Sequence, residues 1–261
     1  GGCMMSGDRL SLVLEWVDGC DLKELVRRRR TSGGWDYDIV NDGLLHEFVL
    51  LRDVSRGMHY LHVQEPVILH RDLKPSNIML HVDEHDSEAG PAPAEPVPRA
   101  MLSDFGTCDF LGEGRAGGQP GGGYAVEFAA PERLRGLDSE EPADMWSAGL
   151  VLYAMCFGDL PYHSEDPQTC RELVMAHVML SDLPEWRDPA LRGLISALTA
   201  REPVARPTAE EAERASASAC QSRQLSPNST RSRSSSGVKS PPSLPPPTEG
   251  ALEILDGEAS P

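Results

Sequence analysis

Six of the eight residues in His70-Arg71-Asp72-Leu73-Lys74-Pro75-Ser76-Asn77 are polar or charged, and the block sits between two apolar pieces of chain. Ahead of it lies the short run Val67-Ile68-Leu69, preceded by a segment with Leu44, Phe48, Leu51, Val54, Met58 and Leu61 on one helical face. That spacing predicts a helix over 44–62 delivering a charged loop. Upstream, the leucine- and valine-rich run 10–17, closed by Asp18-Gly19, reads as a strand and turn. A helix is expected over 20–30, from Leu22, Leu25 and Val26, and a loop over 31–43.

Downstream, residues 83–98 are dense in proline, alanine and acidic side chains without periodicity, and read as a disordered insertion. Helices are expected over 143–157 behind Pro142, over 168–180 and over 189–200. A last one over 208–217 carries Thr208 and Glu211 as a capping box. From about Ser218 the chain turns Ser/Pro-rich and is expected to be disordered. The net charge of -17 argues against nucleic acid or an anionic membrane as a partner. The apolar stretch 148–157 is too short to span a bilayer. Six cysteines without C-x-x-C spacing read as thiols of a reducing compartment. His59, His62 and His81 have no metal-ligand spacing with any cysteine and read as packed or solvated side chains.

The charged block has a chemical logic. Phosphoryl transfer needs one carboxylate to orient the attacking hydroxyl and, five residues on, a ligand for magnesium; Asp72 and Asn77 have that spacing. Lys74 can neutralise charge developing on the transferred group. Asp104-Phe105-Gly106 would supply a second metal ligand through Asp104. Ala130-Pro131-Glu132 follows, then Asp144-Met145-Trp146-Ser147-Ala148-Gly149 at the head of an apolar helix.

These four motifs, in this order, resemble those of the eukaryotic protein kinases over about residues 10 to 216. The resemblance implies an α+β kinase-like fold, mainly the helical C-lobe with the N-lobe β-sheet largely missing. Residues 1–9 would be an N-terminal remnant, 10–216 the kinase domain and 217–261 a tail. It further implies that Asp144 holds the backbone of the catalytic loop, that Glu132 pairs with Arg206, and that Arg71 has a structural role, clamping an activation-segment phosphate where there is one. Leu14-Glu15-Trp16-Val17-Asp18-Gly19-Cys20-Asp21 resembles the hinge. Leu14 would be the gatekeeper, Glu15 and Val17 would bond adenine through their backbones, Asp21 would lie near the ribose and Met79 would floor the adenine pocket. A plain strand and helix start is the alternative for these residues. Lys74, in DLKPSN, is similar to the serine/threonine type, and 153–162 (YAMCFGDLPY) is similar to fungal Iks-type kinases. ATP and Mg2+ are the implied cofactors and a protein the implied substrate. The implied setting is intracellular, cytoplasmic with the nucleus as alternative, and the oligomeric state is left open.

Three features depart from the kinase pattern. Residues 1–22 contain no lysine, and no glycine-rich loop or helix glutamate precedes the hinge, so an N-terminally incomplete chain is expected, with 10–17 as a lone strand. Ala125 stands where a threonine usually bonds the catalytic aspartate, an exchange expected to loosen the site. Between Gly106 and Ala130 the only hydroxyl residues are Thr107 and Tyr124, which excludes a mid-segment phosphoserine or phosphothreonine. An active serine/threonine kinase and a catalytically impaired pseudokinase or truncated C-lobe acting as a binding module both fit, with a tyrosine or small-molecule kinase more remote.

Overall fold

The computed structural model describes residues 2–6, 9–13, 15–31, 37–81, 98–111, 125–137, 140–162, 164, 166–176 and 188–224. The chain opens with β1 (Gly2–Ser6) and β2 (Arg9–Val13), paired antiparallel with Met4 opposite Ser11. Next come β3 (Gly19–Asp21), α1 (Leu22–Thr31), α2 (Tyr37–His62), β4 (Ile68–Leu69), β5 (Ile78–His81), β6 (Arg99–Leu102) and β7 (Asp109–Phe110). The helical part continues with α3 (Pro131–Leu134), α4 (Glu141–Phe157), α5 (Pro167–Ala176), α6 (Pro189–Leu198) and α7 (Ala209–Gln224). This is the expected α+β arrangement, dominated by helices and holding only small sheets among the described residues.

Helix α4 is the axis of the core. Every residue from Ala143 to Cys156 is buried, as expected of a helix that is apolar nearly all round. Pro142 occupies its first turn, where a missing N–H costs nothing. Small residues let a neighbour come close: a Cβ on Gly149 would lie 2.7 Å from Thr199 Cγ2 and 2.8 Å from Leu198 Cβ at the end of α6. Around this axis pack Phe48, Leu51, Val54 and Met58 of α2, with Leu191, Ile195 and Leu198 of α6. Each fully buried large side chain contributes roughly 1.5–3 kcal/mol. Helix α2 also packs against α7 and β6. No helix among the described residues is long and apolar enough to cross a membrane.

The small ladders frame the charged block of the sequence. Strand β4 leads into it and pairs with β7, Leu69 opposite Asp109. Strand β5 leads out of it, at the centre of a sheet ordered β3-β5-β6. Gly19 makes one edge of that sheet possible, since a Cβ there would stand 1.9 Å from the carbonyl oxygen of Leu80.

Several elements differ from expectation. The upstream strand ends at Val13, four residues early, and has a partner, β1; the intervening Gly7-Asp8 is of turn-forming type. Cys20 lies in β3, and helix α1 starts two residues later than expected, where Asp21 Oδ1 accepts the Glu24 N–H at 2.8 Å and caps it. Helix α2 begins at Tyr37, inside the expected loop, and runs through Gly43 at a propensity cost of about 1 kcal/mol. Helix α7 runs to Gln224, past the expected break near Ser218, with Ser216 and Cys220 buried on it. Its start is as expected: Thr208 N donates to Glu211 Oε2 at 2.8 Å and Glu211 N to Thr208 Oγ1 at 3.2 Å. Nearly all of the expected insertion, the tail beyond residue 224 and the end of the helix expected over 168–180 lie outside the described residues.

Candidate active site

The catalytic-loop backbone is held from below by one carboxylate. Asp144, in the first turn of α4 and only 3% exposed, accepts the N–H of His70 at 2.9 Å and of Arg71 at 2.8 Å. Its Oδ2 also lies 3.1 Å from His62 Nε2, at the end of α2. Burial is the largest single influence on this carboxyl and pushes its pKa up; His62 and the two backbone donors together outweigh it, holding Asp144 below its usual value. The clasp bridges two helices and the loop. It also accommodates Arg71 at φ 66, a left-handed conformation that a residue with a Cβ adopts at a cost. His70 is wholly buried; its Nδ1 accepts the Asp72 N–H at 3.4 Å, which leaves Nε2 as the donor to Ser103 O at 3.3 Å. Its ring lies tilted against Phe105, centroids 5.6 Å apart.

Asp72 is 6% exposed and gathers donors on both carboxylate oxygens. Lys74 Nζ donates to Oδ2 at 2.6 Å and Asn77 Nδ2 to the same oxygen at 3.1 Å. Oδ1 accepts the backbone N–H of Ala125 at 3.3 Å. The alanine lacks the hydroxyl expected at that position, and the donor it offers is a main-chain N–H that a threonine would carry equally. Asn77 Nδ2 also donates to Asp72 O at 2.8 Å, which fixes the amide and leaves Oδ1 as the oxygen available to a cation, with Ser76 Oγ 3.4 Å from it. The N–H of Ser103 donates to Asn77 O at 2.9 Å and sets Asp104 beside this residue. Asp104 is exposed, at φ 60, and one of its oxygens accepts the Gly106 N–H at 3.3 Å. An amide oxygen and a lightly bonded carboxylate are hard oxygen donors of the kind Mg2+ takes, so Asn77 and Asp104 fit the ion.

A third group of contacts ties the segment after Asp104 to the loop. Thr107 Oγ1 donates to His70 O at 3.1 Å, Leu111 N to Val67 O at 2.9 Å, and Arg71 Nη1 to Asp109 Oδ2 at 2.8 Å. Arg133 Nη1 donates to Arg71 O from α3. Cys108 also faces His70 O; burial foremost, with Asp144 and Asp104 nearby, pushes its thiol up to about 12, which makes it a poor nucleophile.

Farther down, Glu132 and Arg206 form the expected pair. Arg206 Nη1 lies 2.6 Å from Glu132 Oε1 and Nη2 2.9 Å from Oε2, while the guanidinium also reaches the carbonyls of Pro142 and Ala200 and stacks 5.0 Å over Trp146.

The hinge residues are brought together in part. Asp21 pairs with Met79 across β3 and β5, so two of the expected nucleotide-binding residues are neighbours. One oxygen of Asp21 caps α1. Glu15 is exposed, Val17 half-buried, and Trp16 between them 87% exposed; Leu14 lies outside the described residues. Residues missed in the sequence are His62, Arg133, Asp109 and the Ala125 main chain. Only Asp109 left a signal there, as an acidic residue in a segment almost without hydroxyls, next in line to balance Arg71.

The model of the protein kinase domain family matches residues 2–216. The chain is 31% identical over 175 residues to "Probable serine/threonine-protein kinase iksA" of Dictyostelium discoideum, covering 60% of this chain and 16% of that protein. It is 32% identical over 175 residues to the human receptor-interacting serine/threonine-protein kinase 3, covering 62% and 31%. To the mouse protein kinase C delta type it is 28% identical over 198 residues, covering 75% and 25%. The chain therefore spans well under half the length of these relatives. The match of the family over most of the sequence, with its motifs in the geometry above, leads to one conclusion: the chain belongs to the protein kinase domain family.

Proposed function

We propose that this chain carries the phosphoryl-transfer machinery of an ATP-dependent protein serine/threonine kinase, acting on serine or threonine hydroxyls of a protein acceptor. The observation that carries the reading is the environment of Asp72: a nearly buried carboxylate held by Lys74, Asn77 and the Ala125 N–H one turn of chain from a magnesium-compatible pair of oxygens. Asp72 orients the acceptor hydroxyl and takes its proton, and Lys74 stabilises charge on the transferred group. Asn77 and Asp104 would hold Mg2+, which when bound neutralises the phosphate oxygens of ATP. The adenine would lie on Met79 and bond the backbones of Glu15 and Val17, with Leu14 as gatekeeper and the ribose near Asp21. Arg71, Glu132, Asp144 and Arg206 shape the site without touching the reacting atoms. The six cysteines have no C-x-x-C spacing, and the setting proposed is reducing and intracellular, cytoplasmic or nuclear.

The test is transfer of the γ-phosphate from Mg-ATP to a serine/threonine-rich protein, followed by phosphoamino-acid analysis. Phosphoserine or phosphothreonine is expected, and Asp72→Asn lowers the rate by about 100-fold or more. Absence of both turnover and an Mg-ATP-dependent thermal shift would instead favour a binding module.

A further inference from the structure

Arg71 stands immediately before Asp72, with its backbone at φ 66 and its side chain only 17% exposed. A cation with so little exposure calls for a counter-charge, because partial burial removes much of the water that would otherwise screen it. Among the described residues that charge is Asp109, itself 14% exposed, at 2.8 Å from Nη1. The pair does not stand alone. Asp109 is in β7, opposite Leu69 of β4, so its carboxylate reaches the loop from a strand already hydrogen-bonded to the residues that lead into it. On either side of the pair, Thr107 is bonded to His70 O and Leu111 to Val67 O.

The sequence of the same segment supports a permanent role for this carboxylate. Thr107 and Tyr124 carry the only hydroxyls between Gly106 and Ala130, and that of Thr107 is already given to His70 O. A carboxylate in the chain, rather than a phosphate added to it, is the anion at hand for Arg71.

We infer that Asp109 is a positioning residue for Asp72, acting through Arg71, and that its fixed charge makes the geometry of the catalytic loop independent of phosphate on the segment 107–130. The inference rests on the kinase reading for its effect on turnover, while its effect on the loop can be read separately. Asp109→Asn should lower kcat about tenfold to a hundredfold, the scale of a misplaced catalytic group, with KM for ATP and acceptor changed less than about twofold. Asp109→Glu should recover most of the rate. Amide hydrogen exchange at 69–72 and 109–111 should accelerate in Asp109→Asn, with α4 and α6 unchanged. Protein stripped of phosphate by a phosphatase should keep its kcat within about twofold.

Wild-type kcat and exchange in Asp109→Asn would overturn the inference, as would lost turnover with unaltered exchange. So would activity that vanishes on dephosphorylation and returns with phosphate at Thr107 or Tyr124. If Asp109→Asn melts before assay, Arg71→Gln/Asp109→Asn removes both charges; losses no greater than those of Arg71→Gln alone support the coupling, and multiplied losses refute it. A parent chain that transfers no phosphate defeats the kinase reading, and the exchange experiment then decides the positioning role by itself.

Discussion

Asp144 and Asp104 serve opposite sides of the same loop in opposite ways. Asp144 is buried and accepts three donors, two of them the backbone N–H groups of His70 and Arg71. Asp104 is exposed, in a left-handed turn, and a single N–H at 3.3 Å reaches it. One carboxylate has its lone pairs committed within the protein; the other, among the described residues, leaves most of them unbonded. The contrast explains how a loop of mostly polar residues can be rigid and still have chemistry left over: the anchor is taken from a core helix, and the reactive oxygens come from turns with little else to bond.

The largest effect should come from breaking the anchor. Asp144→Ala strands the N–H groups of His70 and Arg71 in the interior, at 1–3 kcal/mol for each orphaned group, so a loss of about 3–5 kcal/mol in unfolding free energy is expected from urea titration. Asp144→Asn should cost less, because an amide oxygen can still accept. If Asp144→Ala proved as stable as the parent, the loop would have to be held by something other than this carboxylate.

A smaller effect concerns pH. Because the folded chain holds Asp144 below its ordinary value, the unfolded chain binds that proton more readily. The resulting stability is fully present above the ordinary carboxylate pKa, near 4, and is lost as pH falls through the lower folded value. Unfolding free energy measured from neutral pH downward should therefore fall less steeply below about pH 4 in Asp144→Asn than in the parent. An identical acid limb in both proteins would show that the clasp holds the proton no differently from water.

The contrast also marks what the sequence could reveal. Helix α4, the face of α2 and the start of α7 were legible, because periodicity and caps report on which side of an element faces the core. The order of the motifs placed Asp72, Asn77, Asp104 and the Glu132–Arg206 pair. Illegible were the contacts that cross the fold: His62 meets Asp144 at 82 residues' separation, Ala125 meets Asp72 at 53 and Asp109 meets Arg71 at 38. A histidine at a helix end looks solvated until the packing sets it against a buried carboxylate, and a main-chain N–H leaves no mark in the sequence at all. The ends of elements were missed for a related reason. Helix α7 continues through Ser216 and Ser218, where the Ser216 hydroxyl is satisfied by Ala212 O and Cys220 is buried against the core, contacts that composition alone does not disclose.

The smallest effect on stability, and the sharpest on function, should come from Asp104→Asn. Asparagine is at least as comfortable as aspartate at φ 60, so the turn keeps its shape. The Gly106 N–H can bond an amide oxygen as it bonds the carboxylate. Unfolding free energy should thus stay within about 0.5 kcal/mol of the parent, the range for exposed substitutions. What disappears is the charge on one of the two oxygen donors proposed for Mg2+, so on that proposal the thermal shift produced by Mg2+ with ADP should fall while the shift produced by ADP alone remains. A variant that unfolds as readily as Asp144→Ala would mean that Asp104 is a second anchor. One that keeps the full magnesium-dependent shift would move the ion away from Asp104 and leave Asn77 to be explained without it.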